Sequence, residues 1–300
     1  MAQIRDLKRR IKSVENTRQI TKTMEMVATS RLKRARDRVV AARPYAQALS
    51  DVISNLYDPE LEERFPLLRQ VGEPERAAVV LITSNRGLCG AFNSNLIKAA
   101  RAHVEELEAR SVSVETHGIG RKGIGFFKYI GRTWATERID IGDRPTSEDA
   151  DSVITPLMER FASGELDQVD VVFAKFNNPL STPPTILPVL PIAPPSAGGR
   201  NGATVGQRDS GTSPQNFILE PSAERILEGM LPLYVRNQMY RALVETAASE
   251  HGARRTAMKS ATDSAGDMID TLRRTFNRAR QAQITEEIAE IVGGAEALSG

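Results

Sequence analysis

Three hundred residues with a single cysteine, Cys89, exclude a disulfide scaffold and point to a reducing compartment. Forty Lys+Arg against 38 Asp+Glu leave a formal charge of +2, which taken globally argues against a nucleic-acid binder. No apolar run approaches the roughly 18–20 residues needed to cross a bilayer, and the start is charged within five residues, so a soluble chain without a signal peptide is expected.

The near-neutrality is a sum of unlike parts. Residues 1–43 carry 13 basic and 4 acidic side chains, a local charge of +9, so the remaining 257 sum to −7. This first stretch also lacks glycine and proline, and therefore any internal breaker. Steps of three and four from Ile4 land on Leu7, Ile11, Val14, Arg18, Thr21, Glu25, Ala28, Leu32, Ala35, Val39 and onward to Leu56, a heptad seam with one polar gap at Arg18, Thr21 and Glu25. That gap is expected to face something other than a simple helical partner. Pro44 is a candidate bend.

Residues 76–195 have a different texture. The apolar run 77–83 reads as a buried strand, followed by the glycine loop SNRGLCGAFN and an amphipathic stretch from Ser94 to Glu108. Strands follow at Val112–Thr116, Val169–Phe176 and Thr185–Leu190, with helices at Lys122–Ile130 and Ser147–Ser163. The alternation predicts a mostly parallel, Rossmann-like α/β sheet covered on both faces. Residues 59–75 read as a linker and 196–216 as a flexible Gly/Ser-rich loop.

Residues 217–300 are expected to hold a strand and then a second coiled-coil helix, with a start signal at Pro221-Ser222. Leu243, Val244, Ala247, Met258, Ala265, Leu272 and Phe276 lie at helical spacing, and Gly293-Gly294 is the expected stop. A helix of roughly fifty to sixty residues is a rod on the order of 80–90 Å, whereas a compact chain of this size is only about 50 Å across. Both terminal helices must therefore protrude, and their Ala-rich seams predict that they coil around each other, antiparallel.

Chemical motifs are sparse. Gly118, Gly120 and Gly123 match G-x-G-x-x-G after a strand and before a helix, which reads either as a dinucleotide pyrophosphate seat or as a tight turn; the short following helix favours the turn. No Walker loop occurs, His103, His117 and His251 stand apart, and Cys89 reads as a small packed residue, so no catalytic residue, cofactor-binding residue or metal ligand is expected. The basic cluster Arg31, Lys33, Arg34, Arg36 and Arg38 suits phosphate backbones, an acidic protein surface, or a solvated helix face. Without interleaved aromatics it does not suit nucleic acid.

The blocks IKSVENTRQITKTMEMVATSRLKRARDRVVAARPYAQAL, SNRGLCGAFN, GRKG, AASEHGARRTAMKSATD and FNRARQAQITEEIAEIVGGAEAL, in this order, closely resemble the gamma subunit family of the F-type ATP synthase, bacterial type. The resemblance implies a non-catalytic rotor shaft. Its coiled coil would fill a ring of three alpha and three beta subunits, and its foot would stand on the membrane c ring with the epsilon subunit alongside. It marks Lys22, Met24, Arg254, Arg280, Gln281 and Thr285 as rotor–stator coupling positions, and Phe217 and Glu220 as facing the c ring and epsilon. It further implies a peripheral location on the cytoplasmic face of the inner membrane, and no nucleic-acid partner. Thr23 and Asn85 depart from the family's usual alanine and aspartate, the 196–216 loop has no counterpart, and one cysteine cannot form the plastid form's redox pair. The lack of a transit peptide leads to the expectation of a bacterial source.

Overall fold

The computed structural model describes residues 2–56, 64–192 and 223–299. Helix α1 (Ala2–Leu56) and helix α5 (Ala223–Ser299) enclose, in sequence, β1 (Arg76–Ile82), α2 (Phe92–Ala109), β2 (Ser113–Ile119), α3 (Arg121–Tyr129), β3 (Thr136–Arg138), α4 (Ser147–Ala162), β4 (Gln168–Ala174) and β5 (Pro184–Leu190). The five strands form one sheet in the order β3-β2-β1-β4-β5. The first three pairings are parallel, and β5 closes the β4 side antiparallel. Pro184 and Pro188 sit in this edge strand, where a missing N–H costs least.

Alternation along β1 shows why its sequence is apolar throughout. Ala78, Val80 and Ile82 face a core built with α4, the first turns of α5 and the end of α1, while Ala77, Val79 and Leu81 face a second core under α2 and α3. A central parallel strand is buried on both faces, so both parities must be apolar. Helix α2 contributes Phe92, Leu96, Ile97, Ala100, Val104 and Leu107 to that second core at helical spacing. Helix α4 contributes Ile154, Leu157 and Phe161 to the first, each such side chain stabilising by about 1.5–3 kcal/mol. Its start is set by a reciprocal capping box between Thr146 and Asp149.

The terminal helices run antiparallel and protrude together. Helix α1 has 55 residues and α5 has 77, rods of about 80 Å and about 115 Å. Leu7, Ala28, Leu32, Ala35, Val39, Leu49 and Ile53 of the seam are buried. The polar gap departs in part from expectation, because Thr21 is also buried and meets Thr262 of α5 rather than an outside partner. Below it, the guanidinium of Arg18 lies over Gly266, where a β-carbon would touch it at 3.7 Å, and Glu15 pairs with Arg273 at 2.7 Å.

Two breaker signals do not act as read. Pro44 lies within an unbroken α1, on the same exposed face as Val40, so the carbonyl that loses its helical donor is left on the solvent side. Gly293-Gly294 does not stop α5, which continues to Ser299. The following Ala295, Glu296, Ala297 and Leu298 are strong helix formers, and they offset a cost of about 1 kcal/mol per glycine. The strand β3 went unread because three residues are too few for a period to show.

Candidate functional site: the clamp between shaft and foot

In open α/β sheets ligands bind beyond the carboxyl ends of the strands, at the point where strand order reverses. Here that point lies between β1 and β4, and the chain's own α5 fills it. Ser249 donates to the Ala174 carbonyl at 3.1 Å, Thr246 Oγ1 accepts from the Ala174 N–H at 3.3 Å, and Glu245 Oε2 accepts from the Phe176 N–H at 3.1 Å. Glu245 is held in turn by Arg241 at 2.8 Å. The frayed end of β4 is thus paired with helix side chains, satisfying backbone groups that would otherwise be buried unpaired.

The loop after β1 is fixed from the same helix. Arg254 donates to Glu250 at 2.6 Å and to the Gly87 carbonyl at 3.3 Å, and only 11 % of its side chain is exposed. Burial pushes the Glu250 carboxyl above the usual range while Arg254 opposes the rise. From the first turn of α2, Asn93 bonds both Ser84 and the sulfur of Cys89 in this loop. Burial raises the Cys89 pKa, which leaves the thiol unreactive and packed. Gly252 lets α5 approach the Pro179 backbone, which lies 3.3 Å from where a β-carbon would stand. Among the described residues, a pocket of about 30 Å³ lined by Thr83, Asn85, Thr246 and Glu250 lies at the switch point, room for about one water.

The G-x-G-x-x-G segment is a tight turn. The first three amides of α3 are taken by the chain itself: Arg121 N–H by Asn85 Oδ1 at 2.9 Å, Lys122 N–H by the Ser84 carbonyl at 3.1 Å, and Gly123 N–H by Thr83 Oγ1 at 2.9 Å. Gly120 has φ +95°, and a β-carbon there would overlap the Thr83 carbonyl. These glycines bring α3 against β1, and the amides of the first turn of α3 that would seat a pyrophosphate are already bonded within the chain.

His251 sits beside the clamp, almost fully buried. Burial pushes its pKa down to about 4; Asp143 pulls the other way, and Arg254 and Arg31 reinforce the effect of burial. Arg31 of α1 is ion-paired with Asp143, tying the foot to α1 as well as to α5. His103 bonds Asp170 at 2.6 Å, and His117 bonds Thr136 and Glu115. Among the described residues no group of His, Cys, Asp and Glu could hold a metal, and no helix is long and apolar enough to cross a membrane.

The expected coupling residues fall at three levels of the shaft and do not form one site. Lys22 is exposed and Met24 half-buried near the Thr21–Thr262 level. Arg254 lies in the clamp, while Arg280, Gln281 and Thr285 are exposed near the tip, Thr285 bonding the Gln281 carbonyl at 3.0 Å. Phe217 and Glu220 lie outside the described residues. Thr246, Ser249 and Glu250 went unread because a polar residue in a helix normally signals solvent, and Asp143 because a lone carboxylate in a loop before α4 does the same. The available cue was the crowding of Glu245-Thr246 and Ser249-Glu250-His251 between apolar seam positions.

An α/β foot locked by buried polar bonds to the longer strand of an antiparallel coil defines a shaft-and-foot protein. A family model described as ATP synthase matches residues 3–298. The ATP synthase gamma chain of Gemmatimonas aurantiaca is 58% identical over 300 residues, covering all of both chains. That of Leptospira biflexa is 41% identical over 299 residues, again covering 100% of each, and that of Heliobacterium modesticaldum is 42% identical over 99% of this chain and 100% of its own. Among solved structures, a chain of the Euglena gracilis mitochondrial ATP synthase superposes with a TM-score of 0.66 at 20% identity, over 99% of this chain and 95% of that one. A chain of the Tetrahymena thermophila enzyme's central stalk and c ring gives 0.57 at 22% identity, over 81% of this chain and 99% of that one. The chain belongs to the ATP synthase gamma chain family.

Proposed function

We propose that this chain is the central rotor shaft of an F-type ATP synthase, turning within a ring of three alpha and three beta subunits and carrying no catalytic group itself. The observation that carries this reading is the clamp. Torque applied to a foot reaches the tip only if foot and shaft move as one body, and buried bonds from Glu245, Thr246, Ser249 and Arg254 join the sheet to α5. A foot joined through flexible linkers would turn without its shaft.

The remaining assignments are part of the same proposal. The +9 amino-terminal segment faces acidic loops of the catalytic ring, with Lys22 and Met24 at mid-shaft and Arg280, Gln281 and Thr285 nearer the tip. Ile284, Ile288, Ile291 and Val292 are exposed and lie past the level at which α1 begins, so they seat in an apolar collar of the ring. The foot stands on the c ring beside epsilon, at the cytoplasmic face of the inner membrane, with Phe217 and Glu220 as the expected contacts. Co-expression with alpha and beta subunits tests the reading. Native mass spectrometry should find one copy of this chain per three alpha–beta pairs, and failure to enter such a complex contradicts it.

A further inference from the structure

Between α1 and the foot lies an open cleft of about 520 Å³ in whose lining five of the nine residues are arginines. Arg31, Arg34 and Arg38 reach it from successive turns of α1, Arg86 from the loop after β1, and Arg144 from the loop before α4, with His251 at its buried end. The only carboxylate in the lining, Asp143, is engaged by Arg31. Arg38, Arg86 and Arg144 donate no side-chain hydrogen bond and join no ion pair within the described residues, and Arg34 bonds only Ser30. His251 lies with Nδ1 3.5 Å from Arg254 and Nε2 3.8 Å from the Asp143 carboxylate.

We propose that this cleft is a binding site for a multivalent phosphate anion. Guanidinium forks converging from opposite walls match oxygens that point in several directions from a compact centre. Five arginines against one carboxylate, brought together from three chain segments, repel one another in the empty protein, and a polyanion relieves that repulsion. Ala35 is the one apolar side chain in the lining and no aromatic ring is present, so a nucleoside base has nothing to stack on. The recognised unit is therefore the phosphate chain, whether free or carried by a nucleotide. Lys33 and Arg36 of the same basic cluster lie outside the lining, exposed, and remain available to a protein neighbour.

The test is isothermal titration of the full-length chain with inorganic tripolyphosphate at about 100 mM salt, where exposed charges are largely screened. One site per chain is expected, with Arg38→Ala/Arg144→Ala weakening binding at least about tenfold and Lys33→Ala less than about twofold. Unchanged circular dichroism melts show that both variants are folded. ATP binding no more tightly than tripolyphosphate supports recognition of the phosphate chain alone; clearly tighter ATP binding overturns the assignment of the bare chain as ligand. Equal losses for Lys33→Ala and the double variant, no heat of binding, or binding of a poly-glutamate peptide without binding of tripolyphosphate would each overturn the site. None of these readouts depends on assembly with other subunits, so failure here leaves the rotor reading untouched.

Discussion

The hydroxyls of Thr21 and Thr262 meet across the coiled-coil seam at 2.8 Å, and each also reaches a carbonyl of its own helix, Thr21 that of Arg18 at 3.0 Å and Thr262 that of Met258 at 2.8 Å, so the two hydroxyl hydrogens are shared among three contacts. The two threonines are 241 positions apart in the chain. A polar pair in an otherwise apolar seam fixes the register of the helices, since a shift by one heptad would bury each hydroxyl against hydrocarbon.

Replacing either threonine by valine removes the bond across the seam while the partner keeps the carbonyl of its own helix, so each single variant should cost about 1 kcal/mol and the double variant clearly less than the sum. Thermal melts of the four proteins in the cycle provide the coupling. Additive losses would show that the contact is incidental.

The clamp makes a stronger prediction. Arg254→Ala strands the Glu250 carboxyl in a buried site and should lower stability by about 3 kcal/mol, with hydrogen exchange rising through residues 84–90. Glu250→Gln, which keeps a neutral acceptor for Arg254, should cost less than half as much. Equal losses for the two variants would argue that the ion pair is not the element holding the loop.

Acid should weaken the same region through His251. Its folded pKa of about 4 lies below the ordinary 6.5, so the unfolded chain takes up the proton first as pH falls. This contribution is fully present above pH 6.5 and is lost between there and about 4, an amount on the order of 3 kcal/mol. Glu250, whose pKa is raised, acts with the opposite sign, gaining on acidification. The histidine contribution is isolated by chemical denaturation of wild type and His251→Gln at several pH values. The variant should lose distinctly less stability across that window, and parallel curves would contradict the assignment.

Glycine positions separate strain from tolerance. Gly120→Ala forces a side chain into the Thr83 carbonyl at φ +95° and should be severely destabilising, while Gly125→Ala, with open space around it in α3, should be neutral or stabilise by up to about 1 kcal/mol. Melting temperatures of the two variants decide this, and similar values would mean that the turn relaxes freely.

Much of the architecture was legible in the chain because it rests on periodicity. The seam from Leu7 to Leu56 and the two parities of Ala77–Ile82 follow from burial geometry that any single helix or strand must obey. What could not be read depends on contacts between distant segments. Asp143 meets Arg31 across 112 positions, and Ser249 meets Ala174 across 75; local sequence carries no trace of either partner. The fate of Thr21 is of the same kind, since a polar residue in a seam announces an exception without naming what satisfies it.

The tip offers a functional test that spares the foot. Truncation after Gln283 removes the exposed Ile284, Ile288, Ile291 and Val292, none of which contributes to the cores of the foot. Coupled ATP synthesis in reconstituted vesicles should fall while the melting temperature of the isolated chain stays within a few degrees. An unchanged synthesis rate would mean that the tip does not seat in the ring.

The central claim is that foot and shaft turn as one body inside a catalytic ring. Tyr129 is 88% exposed on the foot, and Cys89 is buried, so Tyr129→Cys gives a single reactive attachment point for a bead. With the ring of three alpha and three beta subunits fixed to glass and ATP supplied, single-molecule microscopy should show the bead rotating in one direction with three pauses per turn. A bead that stays still, or only fluctuates, while the same complexes hydrolyse ATP would contradict the account.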